Sequence, residues 1–585
     1  MLTRRELVKL GLLGGGYTVL ASGSGLRRVF ADDELPASPK LSTDRSYPLP
    51  LPPPPPEVPA FLSSDCGPDG GIGTNTKFFI GANTRFFKLV EEEASVSLHP
   101  DLLDTVVWRY RPMFFNTATH RFEKVTPWNF ALGPTFNVRI AQHCGEGVVV
   151  PMRNELPANH VGFGVPETTT HLHGGHHLAR SDGFPDNTPG IGFTPVIKHG
   201  EEFDYIYPML DPGFRAGVPD HTERGSTLWY HDHLFDFTGP NVQKGLAGFY
   251  LVFDDLDTGD EATGLRLPAN KFNGSSIGPF DIPLVIQDRR VGSDGQIIFD
   301  ALDHDGFLGD VFLVNGAVQP KLDVKRRRYR FRFLNGSNAR FYRIFLTNFD
   351  RSKTFPMDQI ATEGGLLSAP IRDIRNFQIA PAERVEVVAD FSSFSEGTKL
   401  FFENRLVQTD GRHPDNVVSQ GPRLLQLIVG GAESGPDRAP NVLRPFDKIS
   451  DAEQRSAIHR EVKFDRSDGA WTINGQLADL ERPMIKPSEG QGEIWHLDSG
   501  GGWAHPVHIH LEYMRVLRRD GNPPPQYERD GIARKDTVVI GAGFGNVDIF
   551  IKFRDYLGPF VFHCHNIEHE DMRMMARMDI VPPKT

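Results

Sequence analysis

Apolar and polar residues alternate in short runs along most of the chain, and glycine or proline cuts each run before a helical period can build up. Three stretches share one pattern: "GPTFNVRIAQHCGEGVVVPMRNEL" from Gly133, "QPKLDVKRRRYRFRFLNGSN" from Gln319 and "RPMIKPSEGQGEIWHLDSG" from Arg482. Each reads as a proline, an alternating strand, a turn, a second strand and then Asn or Asp. Pro134, Pro320 and Pro483 are 186 and 163 residues apart, enough for one β-sandwich per unit. The pattern predicts an all-β protein of three units, 77–257, 258–440 and 441–585, divided at polar stretches bearing Gly or Pro. Residues 32–76 end in "PLPLPPPPPEVP" and read as an extended spacer with no core of its own.

Composition supports a globular chain of 585 residues with several cores, 39% hydrophobic and 10% aromatic. Three cysteines are too few for a disulfide scaffold, and spacing leaves open whether Cys66 and Cys144 pair. The first residues place Arg4 and Arg5 before a weakly apolar, glycine-rich run, with small residues for cleavage after Ala31. The start "TRRELVK" resembles a twin-arginine signal, read by machinery that exports folded proteins, so a periplasmic or extracellular location is expected. Residues 1–31 carry five basic and one acidic side chain, so their removal takes the formal charge from −12 to −16. That acidity argues against a nucleic-acid partner. The basic run "KRRRYRFRF", Lys325 to Phe333, alternates with aromatics and predicts a strand with one solvated face.

The chemistry is concentrated in histidine. His-x-His occurs four times among 22 histidines, starting at His171, His231, His508 and His563, where composition alone gives roughly one. Two pairs lie in the first unit, two in the third and none in the second. Residues two apart on a strand point the same way, so each pair presents two imidazoles to one place. Eight imidazoles suit two copper ions with three each and a third with two. Cys564 points away from His563 and His565, and with His505, His569 and a nearby Met it forms the ligand set of an electron-transfer copper site. The last run, "FHCHNIEHEDMRMM" from Phe562 to Met575, has no room for a helix or a core strand on this reading.

These motifs, "THLHGG", "WYHDH", "HPVHIH" and "HCHNIEHEDMRMM", resemble the four copper-ligand motifs of the multicopper oxidases. The likeness runs from about Lys77 to the C-terminus and takes in "LVNG", "RFRFLNGSN" and "APAERVEVVADF"; it looks closest to the spore-coat laccase, bilirubin oxidase and phenoxazinone synthase branch. It implies three cupredoxin-like Greek-key domains and four coppers. His171 and His508 match the type 2 ligands; His173, His231, His233, His510, His563 and His565 match the type 3 pair. His505, Cys564, His569 and Met574 match type 1, with Met574 chosen over Met572 and Met575 by its place five after His569. The implied reaction takes single electrons from a small aromatic reductant through the ring edge of His569. It passes them to dioxygen, which becomes water at the trinuclear cluster. Asp182 and Glu570 match acids implicated in proton supply. His176 and His177 read as surface or supporting residues.

A monomeric laccase-like or bilirubin-oxidase-like enzyme leads on this reading. Oxidation of Mn(II) or Cu(I) is the alternative; four of the 11 methionines fall between Met572 and Met578, and no methionine-rich insert supports a Cu(I) specialist. A copper-free cupredoxin-like structural protein is the third reading, and the full ligand set argues against it.

Overall fold

The computed structural model describes residues 35–583 apart from 44, 61–79, 144, 187–193, 273, 277 and 468. The signal-like stretch, Cys66 and Cys144 lie outside the described residues.

Alternation becomes strands, and the strands form three two-sheet units in series. A six-stranded and a four-stranded sheet lie between Arg85 and Phe253, and an eight- and a six-stranded sheet between Asp281 and Ala432. A five- and a four-stranded sheet follow between Ile458 and Ile580. Sheet neighbours are often distant in sequence: Val148–Asn154 pairs parallel with Leu89–Val96 and antiparallel with Glu202–Tyr207.

The two four-stranded sheets carry the histidine pairs. In the first unit Thr170–His173 lies antiparallel to Thr227–Asp232, with His171 opposite His231. In the third, Ala504–Ile509 lies antiparallel to Gly558–Cys564, with His508 opposite His563. Cross-strand partners sit about 5 Å apart, so register alone clusters each unit's histidines.

One apolar cluster joins the first and third units. Phe136, Tyr205 and Tyr230 belong to the same packed core as Trp495, Phe562 and Met574. Each such side chain is worth roughly 1.5–3 kcal/mol when fully buried, so this core holds the two histidine-bearing sheets together. The second unit has its own core around Phe331, Phe333 and Phe402.

Three expectations change. The last run does hold regular structure: the strand Gly558–Cys564 leads to a short helix, Ile567–Asp571, and then to the strand Met575–Ile580. Its polar side chains are buried because they face one another and the first unit. The spacer is extended but docked. Leu49 packs into the second unit's core, Val58 into the shared core, and Asn315 Nδ2 donates to the Pro50 carbonyl at 2.8 Å. The basic run forms Lys321–Arg326 and Arg328–Asn335, yet Arg330 and Arg332 are buried rather than solvated. Arg330 pairs with Asp257 at 2.6 Å and with Glu386 at 2.5 Å, and Arg332 with Asp281 at 2.7 Å. Asp257 and Ser226, from the residues flanking the first unit's sheets, supply part of the neutralising shell.

Candidate metal centres

Eight histidines from the four pairs meet in the seam between the first and third units. Ligand atoms of His173, His231 and His565 lie within 4.8 Å of one another, as do those of His233, His510 and His563 and those of His171, His173 and His508. His173 falls in two sets. Its Nε2 donates to Asp536 Oδ1 at 3.2 Å, which leaves Nδ1 as its free, buried ligand atom.

The rings are arranged to present lone pairs inward. His171 Nδ1 donates to the Asp182 carbonyl at 2.6 Å, His508 Nδ1 to the Asp536 carbonyl at 2.8 Å and His231 Nδ1 to the Asp232 carbonyl at 2.8 Å. Their Nε2 atoms are buried without a hydrogen-bond partner. His510 Nδ1 donates to Asp182 Oδ2 at 2.8 Å, and its Nε2 lies 3.2 Å from His563 Nε2, which is also 3.2 Å from His233 Nε2. Fixing the outer N–H on an oxygen is how metal-binding imidazoles are oriented. Burial pushes His173, His231, His508 and His510 well below the usual histidine range, and His233 and His565 to about 3. Neutral rings with facing lone pairs repel unless a cation lies between them, so the donor set fits copper.

A separate set lies within the third unit. Cys564 Sγ is 3.5 Å from His505 Nδ1 and 3.6 Å from His569 Nδ1, and the two nitrogens are 3.2 Å apart. His569 Nε2 donates to the Asp305 carbonyl at 3.2 Å, which turns Nδ1 toward the sulfur. Burial raises the Cys564 thiol well above its ordinary value and takes His505 to about 3. A bound cation reverses that cost for the thiol. Met574 is fully buried in the same packed core as Cys564, whereas Met575 packs with Phe184, Leu480 and Val561. Met572 is partly buried at the edge of the shared core.

The comparisons with known proteins agree with this geometry. A family model described as multicopper oxidase matches residues 451–584. A laccase of Bacillus stratosphericus is 30% identical over 544 residues, 85% of this chain and 95% of the relative. The chain belongs to the multicopper oxidase family. A bilirubin oxidase of Albifimbria verrucaria is 30% identical over 453 residues, 76% of this chain and 70% of that one. The crystal structure of a laccase from Pediococcus acidilactici superposes with a TM-score of 0.68 at 25% identity, over 93% of this chain and 95% of that one. The three units are therefore cupredoxin-like, and the protein is a copper-dependent oxidoreductase that uses dioxygen.

Both acids singled out in the oxidase's sequence adjoin the rings. Asp182, fully buried, has Oδ1 3.4 Å from His171 Nδ1 and without a hydrogen-bond partner. Glu570 Oε2 lies 2.9 Å from His563 Nδ1, and Oε1 lies 3.6 Å from His233 Nε2 and accepts from the Thr238 hydroxyl at 3.2 Å. Burial raises the Glu570 carboxyl, but the rings of His563 and His233 outweigh it and hold it at about 2. His177 is buried rather than on the surface, with Nδ1 4.0 Å from Asp182 Oδ1, and His176 Nε2 meets Asp555 Oδ2 at 3.0 Å.

Other functional contacts carry no sequence signal. Asp536 and Asp305 each orient a ring, and neither belongs to a histidine motif. The ring edge of His569 is not open to solvent. The ring is fully buried, stacks on Trp471 with centroids 3.8 Å apart, and has Trp503 at 5.4 Å. The covering carbonyl of Asp305 comes from the second unit, so that unit's loop and the third unit's tryptophans together close over the ring.

Proposed function

We propose that the chain holds four copper ions. His505, Cys564, His569 and Met574 would hold one, His171 and His508 another, and the triads His173–His231–His565 and His233–His510–His563 one each. The observation that carries this reading is the set of inward nitrogens whose opposite ring nitrogens donate to fixed oxygens. Copper, when bound, supplies one-electron redox chemistry and the place where dioxygen is reduced to water.

The chain's own part is to hold, connect and protonate. Cys564 is bonded through the backbone to His563 and His565, which spans the two centres by a few covalent bonds. Asp182 and Glu570 are the carboxylates placed to pass protons toward the eight rings, through Asp182 Oδ1 and through Glu570 Oε1 next to the Thr238 hydroxyl.

The reductant is an electron-rich aromatic: a phenol, an aromatic amine or a tetrapyrrole. Trp471 and Trp503 make an aromatic wall on His569, with Arg412 5.4 Å above the Trp503 ring, and the relatives named above are a laccase and a bilirubin oxidase. A second reading, oxidation of Mn(II) or Cu(I), is favoured by the loop over His569, where Asp300 and Asp303 are exposed and Asp305 pairs with Arg466 at 2.9 Å. Export by the twin-arginine route rests on the N-terminal sequence. Fractionation of cells expressing the parent and an Arg4→Lys, Arg5→Lys variant tests it, and equal export of both would remove it.

Metal analysis decides the main reading. The loaded protein should contain about four coppers and be blue through the Cys564 thiolate. A colourless, copper-saturated protein would overturn it.

A further inference from the structure

The stretch "APAERVEVVADF" lies in the second unit, which supplies no histidine to the eight-ring site, and it includes Arg384, which is fully buried. Arg384 opens the strand Arg384–Asp390, and its guanidinium reaches across the seam to Asp536. Nη1 donates to Asp536 Oδ1 at 2.9 Å and Nη2 to Asp536 Oδ2 at 2.5 Å. The same group donates from Nε to the Thr227 carbonyl at 2.9 Å and from Nη1 to the Ala382 carbonyl at 3.0 Å, so the fork is fixed from behind.

Asp536 in turn holds two rings that belong to different copper sets. Its Oδ1 accepts from His173 Nε2 at 3.2 Å and from the Thr537 hydroxyl at 2.9 Å, and its carbonyl accepts from His508 Nδ1 at 2.8 Å. Those two rings stack with centroids 3.7 Å apart and planes 16° from parallel. Turning this one carboxylate would therefore release His173 from the tautomer that presents Nδ1 inward.

A glycine in the first histidine motif makes room for the arrangement. Gly174, in "THLHGG", has φ +86, and a Cβ there would lie 2.7 Å from Arg384 Nη2 and 3.0 Å from Asp536 Oδ2. The backbone just after His173 thus runs against the ion pair, and only glycine allows the approach.

We propose that Arg384 is a positioning residue for copper at His173 and His508, acting through Asp536, so that the unit without ligands helps to set the metal site of the other two. A planar fork is required because both carboxylate oxygens and the Thr227 carbonyl are gripped at once, which an ammonium group cannot do. The inference rests on the copper assignment above. Outer-shell partners of this kind change metal affinity by about 10–100-fold.

The test titrates histidine-held Cu(II) against EDTA in the full-length protein, with the blue band of the Cys564 site as an internal reference. Arg384→Met and Asp536→Asn should each weaken retention by about 10–100-fold and leave the blue band in place. The double variant should be no weaker than the weaker single one, because both act through one carboxylate. Retention in Arg384→Met within about twofold of the parent, or losses that multiply in the double variant, would overturn the proposal. If Arg384→Met does not fold, the cycle is run with Arg384→Lys, for which a smaller weakening that vanishes in the Asp536→Asn background is expected. No weakening, or one that persists in that background, overturns it. A parent protein with no histidine-held copper would sink the copper assignment itself, which separates the two failures.

Discussion

The backbone amide of Cys564 donates to the carbonyl of Met574 at 3.1 Å, so the thiolate and the methionine chosen as axial donor sit across one hydrogen bond. The chain returns to this point because Met574 N bonds the His569 carbonyl at 2.9 Å after the helix Ile567–Asp571. A weak thioether stabilises the oxidised metal more than the reduced one. Met574→Leu, which keeps the volume, should raise the potential and preserve the blue colour. Met572→Leu should leave the potential nearly unchanged. Redox titration of both variants at the blue band checks this, and a larger shift for Met572→Leu would move the axial assignment.

Cys564→Ser removes the only thiolate of the blue site. The colour should vanish while about three of four coppers remain on the histidines. Copper analysis beside the visible spectrum reads both quantities, and loss of all copper together would show that the two centres do not load independently.

Asp182→Asn and Glu570→Gln keep size and remove the proton-carrying oxygen. Reoxidation by dioxygen should slow by about 10²-fold or more, with anaerobic bleaching by substrate nearly unchanged. Stopped-flow measurement separates the half-reactions. If only bleaching slowed, these acids would act on the reductant.

Substrate class follows from what surrounds His569. Oxygen uptake should be faster with a dimethoxyphenol or bilirubin than with Cu(I), and Asp303→Asn should leave the aromatic rates unchanged. A Cu(I) rate far above both, and lost in Asp303→Asn, would favour metal-ion oxidation instead.

His177 gives a pH test outside the ligand set. Burial takes its ring from the ordinary 6.5 to about 4, against the opposing pull of Asp182. Between those values the unfolded chain takes a proton that the folded chain refuses. The stability contribution is thus complete above pH 6.5 and is lost as pH falls toward 4. The window corresponds to about 3 kcal/mol. The fall in Tm from pH 7 to pH 4.5 should be smaller by a few degrees in His177→Gln than in the parent, and an equal fall would mean the ring is already charged in the fold.

The histidine chemistry was legible because its code is local. Two residues apart on a strand suffices to aim His171 and His173 together, and register does the rest. The six rings that resemble type 3 ligands could not be divided into triads from sequence, since His565 joins His173 and His231 only after two units dock. Asp536 was invisible for the same reason: it meets His173 across 363 residues, in a stretch with no marker of its own. Arg330 and Arg332 show the reverse failure. Their alternation announced a strand correctly, but the acids that neutralise them, Asp257 and Asp281, lie outside that strand and turn an expected solvated face into a buried one. The helix Ile567–Asp571 is five residues long, too short for any period to declare it.

The seam between the first and third units has a mechanical consequence. An ion held by His173, His231 and His565 ties together chain positions 173 and 565, with the whole second unit looped between them. Such an ion acts as a removable cross-link, and its loss returns the entropy of a loop several hundred residues long to the chain. Apoprotein and copper protein should therefore differ most in how readily the outer units part, while the interior of each sandwich keeps its own strength.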